Sequence, residues 1–209
     1  MSILKIQSLS KRYGERQLFQ GLNREFTAGC YALSEEDNSG KTTLLNIVAG
    51  VLKPDSGDVL VEGHSVFKAG SKAKSHMAFV PDNCMGFPDL SGRELLHRLA
   101  QDKKVQVSNA VFDFAHELGL EPHLDKRFDQ MSTGTRRKVY LAATLIGRPS
   151  VIIADGPTNG LDSAARGVLA EYFQEMGREK VVLFASWDAD LISACGAEEL
   201  AVSTLTRSP

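Results

Sequence analysis

The residue types with the clearest chemistry lie in one loop, between a short apolar run at residues 30–33 and a helical pattern that begins at Thr42. A loop between a strand and a helix can wrap backbone N–H groups around a polyphosphate, with the helix N-terminus pointing at the anion. In the phosphate-binding pattern G-x-x-x-x-G-K-[ST], the lysine reaches the β- and γ-phosphates and the hydroxyl group binds Mg²⁺. The loop matches the end of this pattern, and we expect phosphate contacts at Asn38, Ser39, Gly40, Lys41, Thr42 and Thr43.

The same loop departs from the pattern at its start, because Glu35 stands where the first glycine belongs. Asn38 tolerates left-handed backbone angles and can replace a glycine in mid-loop. Residues 35–37 are all acidic. A unit charge at ~8 Å from a phosphate, with an effective dielectric near 20, costs roughly 2 kcal/mol. We therefore expect weak nucleotide affinity, and an acidic surface turn followed by a capped helix stays open as the alternative.

Composition narrows the function classes. The chain has 209 residues, of which 43% are apolar and 24% charged, and these are values of a globular protein rather than a disordered one. A formal net charge of −2 does not suggest a strongly basic nucleic-acid binder, so no nucleic-acid partner is expected. No apolar stretch is long enough to cross a membrane. The three cysteines are far apart, which disfavours a disulfide scaffold or a cysteine zinc site and fits the cytoplasm.

The pattern of apolar segments predicts the fold class. The runs at 151–154 and 181–184 are typical of fully buried strands, and they alternate with helical patterns at 42–51 and 163–176. Such alternation favours a parallel α/β core. The first 30 residues indicate short strands separated by turns, whereas the stretch at about 83–147 is mostly helical. We expect one domain over residues 1–209, with the helical stretch as an inserted lobe.

Two further motifs carry a family resemblance. Met131-Ser132-Thr133-Gly134-Thr135-Arg136-Arg137-Lys138 precedes Val151-Ile152-Ile153-Ala154-Asp155-Gly156-Pro157-Thr158-Asn159-Gly160-Leu161-Asp162. Together with the glycine–lysine–threonine motif at 40–43, this order resembles the nucleotide-binding subunit of ABC transporters. The resemblance implies a P-loop NTPase (RecA-like) core, a β-rich lobe that holds adenine and a helical lobe that contacts a membrane permease. It also implies ATP and Mg²⁺ as ligands, a second nucleotide-binding subunit paired head to tail, and a peripheral place at the inner face of the cell membrane.

Site residues carried over by this resemblance each have a simpler alternative. Tyr13 corresponds to the adenine-stacking aromatic, although it could be an ordinary strand-edge tyrosine. Ser132 and Gly134 correspond to the signature positions that contact the γ-phosphate in the partner's site. Asp162 corresponds to a loop at the dimer interface, but an acid at a helix N-terminus is also common.

The basic triplet Arg136-Arg137-Lys138 lies at the start of a predicted helix, where positive charge opposes the helix dipole. An anion that docks there would explain this placement. A solvated basic face is the alternative, and the sequence leaves both open.

The resemblance fails at the positions that hydrolyse ATP. Gly156 stands where the family has a glutamate, Trp187 where it has the switch histidine, and Asp82 where it has the Q-loop glutamine. Loss of a positioned base alone lowers the rate roughly 10²- to 10⁴-fold. Asp188 is a remote candidate for a substitute base. The resemblance leaves Thr42, Asp82 and Asp155 as expected Mg²⁺ ligands, and Asp155 also as part of the nucleotide site.

Three functional hypotheses follow. The first is an ATP-binding subunit of an ABC transport system with impaired hydrolysis at its own site, which works as a dimer with a membrane permease. The second is a structural or regulatory module of the same fold that binds no nucleotide. The third is a homodimeric ATPase with rearranged catalytic groups.

Overall fold

A computed structural model describes residues 2–35 and 39–206 of the chain. In chain order, the strands are β1 (Leu4–Tyr13), β2 (Arg16–Phe26), β3 (Gly29–Leu33), β4 (Ser56–Val61), β5 (His64–Ser65), β6 (Met77–Val80), β7 (Val151–Asp155), β8 (Val181–Ala185) and β9 (Glu198–Leu200). The helices are α1 (Lys41–Val48), α2 (Gly70–Ser75), α3 (Gly92–Asp102), α4 (Asn109–Glu117), α5 (Thr133–Ala143), α6 (Ser163–Gly177) and α7 (Ala189–Ala194). Short 3₁₀ turns lie at Glu121–His123, Phe128–Gln130 and Val202–Thr206.

The core is a parallel five-stranded sheet in the order β6-β7-β8-β3-β9. Every residue of β7 and β8 is buried. On one face α1 packs against both strands; on the other, α6 packs against β8, and the β7 residues Ile152 and Ala154 share an apolar cluster with residues of α5. Coverage of both faces explains why these strands are apolar throughout rather than alternating. The predicted parallel α/β core is confirmed.

The N-terminal strands form a separate antiparallel sheet in the order β2-β1-β4-β5. Its inner face buries Leu4, Ile6 and Leu22, which share one apolar cluster with Leu44 and Leu45 of α1. The helix that follows the phosphate loop is therefore held between the two sheets.

Between β6 and β7 the chain forms α3, α4, two 3₁₀ turns and α5. At the start of α3, the Ser91 hydroxyl accepts the backbone N–H of Glu94, and the Glu94 carboxylate accepts that of Ser91. This capping box satisfies two donors that a helix start otherwise leaves unpaired. Within residues 2–35 and 39–206, no helix has both the length and the apolar character needed to span a membrane.

The sheet topology brings three loops together. Leu33 at the end of β3 and Asp155 at the end of β7 both pair with Ala185 at the end of β8. The carboxyl ends of these strands lie at one sheet edge, where open α/β sheets bind their ligands. The loops that begin at residues 34, 156 and 186 are therefore neighbours.

Candidate functional site

The phosphate loop enters α1 through Gly40, which has φ 97° and ψ 10°. A Cβ atom at this position would lie 3.6 Å from Leu18 and 3.7 Å from Phe19, which is ordinary contact. Backbone conformation rather than space therefore requires glycine at residue 40. The turn aims the first N–H groups of α1 into the loop, with Thr42 exposed and Thr43 half-buried in the first turn.

Lys41 is oriented over the loop. Its Nζ atom donates a hydrogen bond to the carbonyl oxygen of Glu35. The same Nζ lies 4.5 Å from the ring centroid of Trp187, within the range of a cation–π contact. The predicted phosphate-binding lysine therefore contacts the residue at the switch-histidine position.

The carboxylate of Glu35 has a structural role that the sequence did not suggest. It accepts the backbone N–H of Val202 at 2.8 Å and the hydroxyl of Ser203 at 2.5 Å. The side chain thus binds the start of the C-terminal 3₁₀ turn. Its charge is held by these donors, so the expected cost of an acid at this position is reduced. Asn38, together with residues 36 and 37, lies outside the described residues.

Thr42 and Asp155 meet at the centre of the site. The Thr42 side chain forms a hydrogen bond with the carboxylate of Asp155, and burial raises the pKa of Asp155 above its usual value. Among the residues that the structure describes, the buried Oδ2 atom of Asp155 has no hydrogen-bond partner, and neither has the buried Oγ atom of Ser39. Hydroxyl and carboxylate oxygens are the donors that Mg²⁺ prefers, so these residues fit the expected cation.

The position after Asp155 is a glycine in a left-handed backbone conformation, and the Asn159 side chain lies beside it. Gly156 has φ 56°, and a Cβ atom there would lie 2.3 Å from Nδ2 of Asn159. The Asn159 amide is directed toward Asp82, with Nδ2 at 3.5 Å from Oδ1. The Asn159 side chain thus occupies the space into which a residue at 156 would extend.

Arg137 corrects both interpretations of the basic triplet. Its side chain is 1% exposed, so it belongs neither to a solvated face nor to an anion site at the helix start. Its guanidinium group donates to three backbone carbonyls, those of Asn159 at 2.9 Å, Asp155 at 2.9 Å and Asp82 at 2.8 Å. One side chain of α5 therefore holds three loops of the site in place.

The other two members of the triplet also have partners within the chain. Lys138 is 2.8 Å from the carboxylate of Asp162, and Arg136 contacts the sulfur of Met85 and lies 3.5 Å from the Thr133 hydroxyl. Asp162 neutralises the charge of Lys138, whereas the contacts of Arg136 are with uncharged groups.

Both carboxylate oxygens of Asp188 have partners within the chain. Its Oδ1 accepts the N–H of Leu191 and caps α7, and its Oδ2 lies 3.0 Å from the guanidinium of Arg166. With one oxygen in a cap and the other in an ion pair, this carboxylate is poorly suited to activate water. The remote base suggested by the sequence is therefore not supported.

A cleft of about 550 Å³ brings most of these groups together. Its walls include Lys41, Thr42, Asp82, Asp155, Gly156, Asn159 and Trp187. The predicted phosphate-binding residues Lys41 and Thr42 and the three departures from the hydrolytic pattern thus share one cavity.

Comparison with known proteins identifies the family. A sequence model described as ABC transporter matches residues 29–159. The chain belongs to the ABC transporter family. It is 30% identical over 209 residues to the ABC transporter ATP-binding protein YxdL of Bacillus subtilis, with 92% of this chain and 80% of that protein covered.

Other relatives agree with this assignment. The uncharacterized ABC transporter ATP-binding protein YdbJ of Bacillus subtilis is 29% identical over 88% of this chain, which spans only 61% of that relative's length. A dimeric ATP-binding cassette, solved in a post-hydrolysis state with ADP and phosphate, superposes with a TM-score of 0.79 at 20% identity. The match covers 91% of this chain and 90% of that one, and it shows the common fold.

The predicted signature positions lie at the start of α5. The Ser132 hydroxyl is exposed and accepts the N–H of Thr135 at 3.1 Å as the helix cap. A Cβ atom on Gly134 would lie 2.0 Å from the carbonyl oxygen of Gly160, so the close approach of these two loops requires glycine. The signature segment and the loop that ends at Asp162 are therefore packed directly on each other.

Asp162 and Tyr13 have defined local environments. The Asp162 carboxylate accepts the N–H of Ala165 at 2.9 Å and caps α6, as the simpler alternative predicted. Its bonds to Lys138 and to that backbone amide lower the pKa of Asp162. Tyr13 is about half exposed at the end of β1, with the Lys11 ammonium 5.4 Å from its ring centroid. Its exposed ring is sterically available for stacking.

Proposed function

We propose that this protein is an ATP-binding subunit of an ABC transport system that retains Mg–nucleotide in its own site without hydrolysing it. The observation that carries the proposal is the cleft in which Lys41, Thr42 and Asp155 converge beside Gly156. The binding groups are present, whereas the position of the expected base is a glycine in a left-handed backbone conformation, with the Asn159 amide beside it.

The proposed nucleotide binding depends on the buried oxygens of Ser39 and Asp155 that have no hydrogen-bond partner among the described residues. Lys41 would contact the β-phosphate, and the Ser39 hydroxyl would complete its hydrogen bonding on an anion. Thr42 and Asp155 would hold Mg²⁺, with Asp82 as a further oxygen ligand at the edge of the cleft. Bound Mg²⁺ would neutralise charge on the phosphate oxygens. A cation would also stabilise the ionised form of Asp155, which burial disfavours.

The proposed absence of hydrolysis depends on the contacts of the carboxylates in the cleft. Asp155 is buried against Thr42, Asp188 pairs with Arg166, and Asp82 lies 3.7 Å from the Arg137 guanidinium. In this proposal Asp155 would ligate Mg²⁺, and the other two carboxylates each face a guanidinium group, so none is placed to accept a proton from water. Trp187 can donate one hydrogen bond but cannot exchange a proton near neutral pH.

We propose that the chain pairs with a second nucleotide-binding subunit. The exposed Ser132 and the tightly packed Gly134 would complete the partner's site, since the dimeric relative has the same fold. Exposed apolar side chains, Met85 and Phe87, follow β6 and are proposed to contact a membrane permease at the cytoplasmic face. The nucleotide-independent module is disfavoured, because the carboxylate of Glu35 is bound by the C-terminal turn rather than directed at phosphate.

Calorimetric titration and phosphate release test this proposal. Mg–ATP should bind the wild-type chain, and Lys41→Ala should abolish binding, whereas Lys68→Ala, which changes an exposed lysine on the antiparallel-sheet side, should leave it intact. The isolated chain should release phosphate no faster than the Lys41→Ala variant. Absence of Mg–ATP binding would support the nucleotide-independent module. Rapid turnover by the isolated chain would support a rearranged catalytic site.

A further inference from the structure

The contact between Trp187 and Lys41 bears on which nucleotide the site holds. Trp187 is the single tryptophan of the chain, and 56% of it is exposed. An indole so exposed gains little from burial, yet its ring is 4.5 Å from Nζ of Lys41. Tryptophan is the aromatic residue that binds a cation most strongly through its face.

The backbone on both sides of Trp187 is fixed, so the ring position is not that of a loose loop. The N–H of Ser186 donates to the carbonyl oxygen of Leu33 at 3.3 Å, which ties this loop to the start of the phosphate loop. The N–H of Asp188 donates to the Ser186 hydroxyl at 3.1 Å, and Asp188 also caps α7. These bonds fix the backbone beside Trp187, so the contact can be broken only by a rotamer change of the indole or of the Lys41 side chain, and either change loses the cation–π interaction.

The ammonium of Lys41 can form only a limited number of contacts. It carries three N–H donors, one of which the Glu35 carbonyl accepts, and the indole covers a further side. In a phosphate loop, this ammonium must meet both the β- and the γ-phosphate of a triphosphate. A diphosphate ends at the β-phosphate, so it needs fewer contacts from the Lys41 ammonium.

We propose that Trp187 makes this site selective for a nucleoside diphosphate over the corresponding triphosphate. A diphosphate would bind with the indole still on Lys41, whereas a triphosphate would have to displace the ring. The preference should be roughly 2- to 30-fold, the range that corresponds to the loss of one cation–π contact. This inference rests on the proposed function, namely that the cleft binds Mg–nucleotide.

The first test compares two ligands on the full-length chain. Calorimetry gives the dissociation constants of Mg–ADP and of a non-hydrolysable Mg–ATP analogue for the wild type, Trp187→Phe, Trp187→Ala and the control Val51→Ala, which shortens an exposed apolar side chain. The wild type and the control should prefer the diphosphate, Trp187→Phe should retain part of the preference, and Trp187→Ala should lose it. Equal affinities in the wild type, or a preference that survives Trp187→Ala, would overturn the inference while leaving the proposed function intact. Failure of both ligands to bind would overturn both.

The second test uses the emission of Trp187 itself, which is unambiguous because no other tryptophan contributes. Lys41→Ala should change the emission of the nucleotide-free protein, since it removes the cation from the ring face. The triphosphate analogue should change the wild-type emission more than Mg–ADP does. An emission that Lys41→Ala leaves unchanged, or an equal response to both nucleotides, would show that the ring does not compete for Lys41.

Discussion

Gly156 is the residue at which the hydrolytic pattern is most completely lost. Because its φ is 56° and the Asn159 amide would lie 2.3 Å from an added Cβ, the local backbone has adapted to the missing side chain. We expect Gly156→Glu to restore no phosphate release and to lower the free energy of unfolding by roughly 1–3 kcal/mol, from the left-handed backbone and the clash. Urea denaturation and a phosphate assay measure the two effects.

A double variant separates the two causes. Gly156→Glu combined with Asn159→Ala clears the side-chain clash but keeps the left-handed φ, so it should recover part of the stability and still show no turnover. A stable and active Gly156→Glu single variant would contradict this account of the position.

Asp155 illustrates a binding residue that costs stability when no cation is bound. Its carboxylate is buried with one oxygen unpartnered, and burial raises its pKa. We expect Asp155→Asn to raise the melting temperature of the metal-free protein by about 2–4 °C, which corresponds to about 1 kcal/mol, and to remove stabilisation by Mg–nucleotide. Differential scanning calorimetry with and without Mg–ADP measures both.

The raised pKa of Asp155 also sets the direction in which the stability effect of Asp155→Asn changes with pH. A carboxyl group whose folded pKa is raised destabilises the folded state above that pKa, and the effect vanishes once the group is protonated in both states. The advantage of Asp155→Asn should therefore shrink as the pH falls toward about 4, the ordinary pKa of an aspartate. An advantage that grows in acid would contradict a desolvated carboxylate at this site.

At the scale of elements, α5 is coupled to the site through Arg137. Its guanidinium donates to backbone carbonyls after β6, at the end of β7 and before α6. Arg137→Met would remove this donor from a buried hydrogen bond to Asp155 and from partly buried ones to Asn159 and Asp82. We expect the free energy of unfolding to fall by about 2–5 kcal/mol, as measured by urea denaturation.

The neighbouring arginine provides the matched control. Arg136 lies on the same helix turn but is more exposed, so Arg136→Met should change stability by less than about 0.5 kcal/mol. Equal losses from the two substitutions would show that the loss at Arg137 does not come from its three carbonyl contacts.

The elements differ in how far the sequence could predict them. The strands β7 and β8 were predictable because continuous apolar runs of that length signal burial on both faces. The role of Arg137 was not, because its acceptors are backbone carbonyls at sequence separations of 18 to 55 residues, and carbonyls leave no residue-type signature. The steric requirement for glycine at 134 is similar, since it depends on a carbonyl at Gly160.

At the scale of the whole molecule, long-range contacts change the meaning of single residues. Glu35 interrupts a sequence motif, yet its carboxylate binds Val202 and Ser203, which are 167 and 168 residues away. When the sequence alone is compared with the phosphate-binding pattern, Glu35 is a mismatch at a glycine position. The folded chain uses it to fasten the C-terminal turn to the start of the phosphate loop.

Lys103 ties the helical segment to the parallel sheet, and this junction should make stability depend on pH. At the end of α3, its Nζ donates to the carbonyls of Met77 in β6, at 2.7 Å, and of Ile146 after α5, at 3.0 Å. Burial lowers the pKa of Lys103 to about 8. Between that pKa and the ordinary value of about 10.4, the unfolded chain binds more protons than the folded one, so stability rises with pH.

We expect the difference in free energy of unfolding between the wild type and Lys103→Met to shift in favour of the wild type from about pH 8 to pH 10, by at most about 1.4 kcal/mol per pH unit. Below that window Lys103 is protonated in both states, so the difference should become constant. Urea denaturation across this range gives the slope, and Lys104→Met, which removes the exposed lysine next to it, is the control. The opposite result would be a wild-type advantage in the free energy of unfolding that shrinks as the pH rises. It would mean that the two carbonyls stabilise the ammonium more than burial destabilises it. The junction would then be strongest with Lys103 charged.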